Sequence, residues 1–429
     1  MSPPAPTPPD PVRRADPARV AEAHALRQAL APFPTLQALH AAPDWPALSA
    51  RIAALLDGVR VHPHPSPRQS AGDARRVHVA QWNIEHGNRF EAIAQAFQSQ
   101  PGLAAADLVT LNEVDLGMAR SGNRDVAAEL AARLGMHAAW AAMFLESTRG
   151  RDDDALTAVP DDNAESLFGL AILSRWPITS TRLVPLPGPE RALFERERMT
   201  GRFIALVCDI AHPVQPFVVV TAHLEVHRTR AHRARQMRLL MQALATEQRP
   251  VLFAGDWNTH TFDRGERRAI SAAAWPLLGW PNDALAARLS RPDRGASHEL
   301  LFDELRAAGF AWEPYNDDVA TLSLRFSRLR EVHVLPGPLR SLASRGLRWA
   351  ERRARLRLDW IAARGFQHAA GSGRTITGLD GTAEQDVGRS PRQELDTPLQ
   401  HDLDMLGPAS DHAPIVAELA FETPRFAPA

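Results

Sequence analysis

No lysine occurs anywhere in the chain, so all 49 basic residues are arginine. That absence excludes a Schiff-base lysine and a Walker-type phosphate loop, both of which need the amine. Cysteine is nearly as scarce. Cys208 is the one thiol and sits inside the apolar run of residues 203–210, so it closes no internal disulfide and reads as a buried core residue, as suits a reducing compartment. No stretch approaches the roughly 20 apolar residues of a membrane span. The first twelve residues hold six prolines and no apolar stretch behind a basic start, so they do not read as a secretory signal. The expectation is a cytoplasmic protein. Surplus charge is missing too: a net charge of −1 removes the general electrostatic argument for a nucleic-acid binder, while leaving room for a local basic cleft.

What is present, over 429 residues with 45% apolar content, is an ordinary globular chain able to bury one large core or two modest ones. Residues 1–16 are Pro-rich and expected to be unstructured. Apolar residues then recur at helical spacing over 17–75, with Asp44 before Trp45-Pro46 as a helix start. Three prolines between His62 and Ser70 mark a linker, and a domain boundary is placed near residue 75. From there short apolar runs at 77–82, 108–111, 168–173, 203–210, 217–221, 251–254 and 415–421 read as strands. Helical patterns at 124–134 and 232–245 lie between them, which predicts an α/β layered fold. Residues 260–355 break that rhythm and read as a mainly helical insertion, with a helix at 298–310 behind Ser297 and ending at Gly309.

Polar islands stand at the ends of the apolar runs: Asn83 to His86, Asn112-Glu113, His223 to Glu225, Asp256-Trp257-Asn258, Asp359, and Ser410-Asp411-His412. Side chains two apart on a strand share a face, so Asp256 and Asn258 point together, as do Thr221, His223 and Glu225. Carboxylates and imidazoles gathered at strand ends suit a hard cation with oxygen ligands, for which Glu85, Glu113 and Asp411 are candidates. Histidine beside aspartate can orient or deprotonate water, and a second histidine can protonate a leaving group. Asp359 lies within an apolar strand, where an acid is costly without a partner; His412 is the obvious one.

The order of these islands resembles the endonuclease/exonuclease/phosphatase superfamily. The resemblance is carried by Gln81-Trp82-Asn83-Ile84-Glu85-His86-Gly87, Leu111-Asn112-Glu113-Val114, residues 169–175, Thr221-Ala222-His223-Leu224, Gly255-Asp256-Trp257-Asn258, residues 357–361 and residues 410–415. It spans residues 76–422 and implies a four-layer α/β/β/α sandwich, two mixed sheets flanked by helices. It further implies a magnesium site, with manganese as the alternative ion, formed by Glu113 with Asn83, Glu85 and Asp411. Asp256 and Asn258 resemble the pair that positions or deprotonates the attacking water and holds a phosphate oxygen, Asp359 and His412 the Asp–His pair, and His223 the second histidine of the deoxyribonuclease-like and sphingomyelinase-like branches. Whether Asp256 or His412 takes the proton stays open. Arg120 and Arg202 stand where family members place phosphate-contacting or site-bracing arginines.

The reading that results is a metal-dependent phosphodiesterase acting on nucleic acid or on a small or lipid head-group diester. A phosphomonoesterase, a catalytically inactive binding module and a metal-independent histidine-carboxylate hydrolase are the alternatives. Seven arginines within 340–357 and five within 228–238 offer phosphate contacts or a solvated helix face. No protein partner is inferred.

Overall fold

The computed structural model describes residues 15–68, 73–150, 158, 160–188, 193–263, 279–295, 297–323, 354–368, 371–379 and 409–421. Residues 1–14 of the Pro-rich tail and most of the arginine-rich 340–357 segment lie outside them. The strands, in chain order, begin with β1 (Arg60–His62), β2 (Arg76–Asn83), β3 (Leu108–Leu116), β4 (His137–Glu146) and β5 (Leu167–Ser174). Next come β6 (Ile178–Leu186), β7 (Met199–Gly201), β8 (Phe203–Ile210), β9 (Phe217–Ala222) and β10 (Val251–Asp256). The series closes with β11 (Leu322–Ser323), β12 (Arg355–Leu356), β13 (Asp359–Arg364), β14 (Gln367–His368), β15 (Arg374–Thr375) and β16 (Ile415–Ala420).

Two mixed sheets result. The first runs β1-β4-β5-β3-β2-β16-β14, with β7 beside β4 and β15 beside β16, and the second runs β13-β10-β9-β8-β6. The β2–β3 and β9–β10 pairs are parallel and their neighbours antiparallel. Strands buried on both faces need continuous apolar sequence, which is why 203–210, 217–222 and 251–254 read so clearly. Val79, Ile172, Leu206 and Val219 meet between the sheets. Helices Phe90–Ser99 and Val126–Leu134 cover the outer face of the first sheet through Ile93, Phe97 and Leu130. Helix Arg230–Ala243 covers the second through Met237 and Leu240, and helix Leu301–Ala307 packs beside it through Phe302 and Leu305. The architecture is the expected four-layer sandwich.

Local chemistry sets the helix ends. Asp125 accepts from the Ala128 N–H at the start of Val126–Leu134, and Gly135 at φ 65° stops it. Thr229 caps Arg230–Ala243 through the His232 N–H. The helix expected over 298–310 is shorter and begins at Leu301. Just before it, the Glu299 carboxylate is held in a buried pair with Arg233 and accepts the Thr261 N–H, while Leu300 caps the helix in right-handed backbone. The N-terminal helices Pro17–Leu30 and Trp45–Leu56 pack on the first sheet, and β1, upstream of the expected boundary, extends that sheet by pairing with β4. Among the described residues no helix is long and apolar enough to cross a membrane.

Candidate active site

Parallel β2 and β3, in the first sheet, and parallel β9 and β10, in the second, deliver their C-terminal ends to the edge where antiparallel β13 and β16 begin, and the polar islands lie along that edge. Asn112 joins the sheets there. Its Oδ1 accepts from Gln81 Nε2 at 2.7 Å and from the Asp256 backbone N–H at 2.7 Å, while its Nδ2 donates to Thr221 Oγ1 at 3.3 Å. Thr110 donates to Gln81 Oε1 at 2.6 Å, so the floor of the site is a bonded chain of buried amides and hydroxyls.

Asp256 is the hub above that floor. Its Oδ2 accepts from Asn83 Nδ2 at 3.0 Å and lies 3.6 Å from His223 Nε2 and 3.8 Å from His412 Nε2. Its Oδ1 accepts the Asn258 N–H at 2.9 Å, and Asn258, left-handed at φ 51°, donates its amide to the Leu224 carbonyl. His412 Nδ1 is 2.7 Å from Asp359 Oδ2, and the Thr321 hydroxyl takes the N–H groups of Leu358 and Asp359. Burial opposes charge on His412, but Asp359, Asp411 and Asp256 outweigh it and hold the imidazole well above its ordinary pKa. Burial instead lowers the pKa of His223. Two histidines around one carboxylate are therefore shifted in opposite directions.

The 410–412 segment is stitched to the end of β2. Ser410 Oγ donates to the Asn83 carbonyl at 2.7 Å and Trp82 Nε1 donates to the His412 carbonyl at 2.8 Å. Asp411 is thereby brought close enough to act electrostatically on Glu113. Glu113 accepts from Asn83 Nδ2 at 3.0 Å, and burial, Asp411 and Asp256 push its carboxyl up to about 8. Carboxylates crowded in this way carry more negative charge than one imidazole offsets, and their oxygens are the donors a hard divalent cation takes. The donor set of Asn83, Glu113, Asp411 and Asp256 fits magnesium or manganese. Glu85 lies at the rim, with its N–H on Asn83 Oδ1 and its carboxylate 3.5 Å from Arg89. Asp256, Asp359 and His412 also converge closely enough to hold an ion. The 2.7 Å pairing of the last two with each other makes them a polar triad and a poor cage.

The two arginines separate from the rest. Arg120 is buried against Asp115, through two 2.8 Å bonds, and against Glu146 at 2.8 Å, so it braces the end of β3 and offers no exposed fork to a phosphate. Arg202 lies 3.5 Å from the exposed Asp57, just past the end of the N-terminal helix Trp45–Leu56. Sequence reasoning passed over Gln81, Thr321 and the bracing pair Asp115–Glu146. A glutamine or threonine among apolar residues was the only signal, and Thr321 reaches Asp359 through a tertiary contact no spacing encodes.

A profile of the Endonuclease/Exonuclease/phosphatase family matches residues 80–412. Comparison with curated proteins gave no match. Similar solved structures include an endonuclease/exonuclease/phosphatase from Beutenbergia cavernae, 18% identical with TM-score 0.44 over 82% of this chain and 73% of that one. An AP endonuclease from Archaeoglobus fulgidus is 13% identical, TM-score 0.42, over 81% of this chain and all of its own. The human Nocturnin catalytic domain with bound sulfate is 13% identical, TM-score 0.42, over 81% of this chain and 95% of that one.

Proposed function

Because the chain belongs to the endonuclease/exonuclease/phosphatase family, we propose that it is a divalent-metal-dependent phosphodiesterase in which an activated water attacks phosphorus in line. The observation that carries this reading is the convergence of Asn83, His223 and His412 on one oxygen of Asp256. A cation held by Glu113, Asn83 and Asp411, with Glu85 at the rim, would supply Lewis-acid stabilisation of the charge that develops on the phosphate oxygens. Asp256 orients the water and accepts its proton. His412 already carries a proton because Asp359 and two further carboxylates face it, which favours Asp256 over His412 as the base and leaves the cationic imidazole to bind a phosphate oxygen. Asn258 fixes the Asp256 carboxylate through its N–H. His223 Nε2 lies 3.6 Å from the same carboxylate, so the proton that Asp256 receives can pass to it and on to the leaving alkoxide.

Magnesium, with manganese in its place, is the ion this oxygen-rich set favours. Nucleic acid and small or lipid head-group diesters are the substrate classes, and the low net charge favours local contacts over tight duplex binding. Hydrolysis of bis-p-nitrophenyl phosphate against p-nitrophenyl phosphate, with magnesium, manganese or chelator, tests the reading. Metal-dependent cleavage of the diester, lost in Asp256→Ala and His412→Ala, is expected. Preference for the monoester would replace it with a phosphatase, and activity surviving chelator would remove the cation from the mechanism.

A further inference from the structure

Left-handed backbone is costly for any residue with a Cβ and is usually visited by single residues, most often glycine. One residue past the end of β2, three residues in a row adopt it: Glu85 at φ 45°, His86 at 67° and Gly87 at 77°. On the neighbouring strand Glu113 is left-handed too, at φ 54°, where the pairing of β3 with β5 slips between Asn112 and Val114. The two unusual segments face each other. His86 Nε2 lies 3.5 Å from Glu113 Oε2.

Such conformations persist only where the surroundings over-determine them, and here the surroundings can be named. The turn is closed by the Gly87 N–H on the Ile84 carbonyl at 2.9 Å and the Asn88 N–H on the Glu85 carbonyl at 3.2 Å. A Cβ on Gly87 would come within 2.7 Å of Val126, so the turn is also pressed against the start of helix Val126–Leu134. The His86 ring packs on Phe168 at 5.4 Å, and its Nδ1 faces Asp115 at 3.9 Å. Asp115 is itself gripped by Arg120, which is tied to Glu146. A rigid chain of buried charges thus stands behind the imidazole.

We infer that His86 is a positioning residue that fixes the orientation of the Glu113 carboxylate for a divalent cation. The inference rests on Glu113 as cation ligand in the function proposed above. Asn83 Nδ2 holds Oε1 of Glu113 at 3.0 Å and His86 stands at Oε2, so both oxygens have a neighbour and the carboxylate keeps one direction. That rigidity matters most to magnesium, whose octahedral shell tolerates little error, and least to calcium, which accepts variable geometry. A ring present only to fill space would not discriminate between the two ions.

Isothermal titration of the full-length protein with MgCl2 and with CaCl2, in wild type, His86→Asn and His86→Gln, tests this, with metal-linked thermal shifts as the second readout. Asparagine accepts left-handed backbone but falls short of Glu113, whereas glutamine has the reach of Nε2. His86→Asn should weaken magnesium binding about 10–100-fold, as loss of a ligand's orienting partner does, and calcium binding less than about threefold. His86→Gln should stay within about threefold of wild type for magnesium. Wild-type magnesium affinity in His86→Asn, or equal losses for both ions, would overturn the inference while the cation reading stood. A wild-type protein that binds neither ion would instead overturn the cation reading and the inference with it.

Discussion

His412 turns its Nδ1 to Asp359 at 2.7 Å, which leaves its Nε2 facing Asp256 at 3.8 Å. The imidazole thus lies between a buried acid that holds its charge and the acid assigned to the water. Asp359→Asn should lower kcat/KM on a diester by about 100-fold, the low end of what positioned acid–base groups contribute. With the raised pKa of His412 gone, loss of activity on the alkaline side should begin at lower pH than in wild type. A pH–rate profile of both proteins checks this; an unmoved alkaline limb would detach His412's proton from the reaction.

Glu113 makes stability depend on metal and pH together. Its folded pKa of about 8 lies above the ordinary carboxyl value, so its stabilising contribution is full at acid pH and is lost as pH rises from about 4.5 through 8 in metal-free protein. A bound divalent cation should reverse that loss. Melting temperatures between pH 5 and 9, with magnesium or chelator, should show the chelated protein weakening by at least about 1 kcal/mol as pH rises. Glu113→Gln should flatten the decline and abolish the magnesium-linked gain.

Arg233 and Glu299 form an ion pair with no exposure on either side chain, and the pair anchors the loop that follows Asn258. Arg233→Ala strands a buried carboxylate and should cost about 3–5 kcal/mol in chemical unfolding. The double variant Arg233→Met/Glu299→Leu should recover most of that loss. A mild effect of the single change would show that the pair is solvated.

His212 is enclosed by Trp176, Phe217 and Phe421, and burial pushes its pKa down to about 4. The unfolded chain takes a proton near pH 6.5 while the folded one refuses it, so stability should fall as pH drops from about 6.5 towards 4. In His212→Asn, whose carbonyl can replace Nδ1 as acceptor for the Val214 N–H, the acid decline in melting temperature should be shallower.

Much of the fold was legible because the inner strands are buried on both faces and carry unbroken apolar runs; β8 lies over the same residues, 203–210, that its sequence pattern marks. Strand β4 was not legible. Its His-Ala-Ala-Trp-Ala-Ala-Met stretch lacks the branched residues that signal a strand, yet it is buried throughout. Strand β6 was missed for the opposite reason, being a largely solvent-accessible edge with Thr179, Thr181 and Pro185. The candidate site was legible as residue types at strand ends. The orienting contacts of Gln81, His86 and Thr321 were not, because each depends on where a distant segment arrives.

Composition and order alone determined that no lysine chemistry operates here, that the fold is layered α/β, and that carboxylates and imidazoles cap its strands. Those properties are local, since burial and strand-end position leave their mark on neighbouring residues. Only the tertiary structure decided that Asn83 and Asp256, 173 residues apart, meet at 3.0 Å, that Arg120 is consumed by bracing, and that His412 is pushed towards its charged form while His223 is pushed away from it. Protonation and orientation are set by distances across the two sheets, and a one-dimensional pattern holds no such distances.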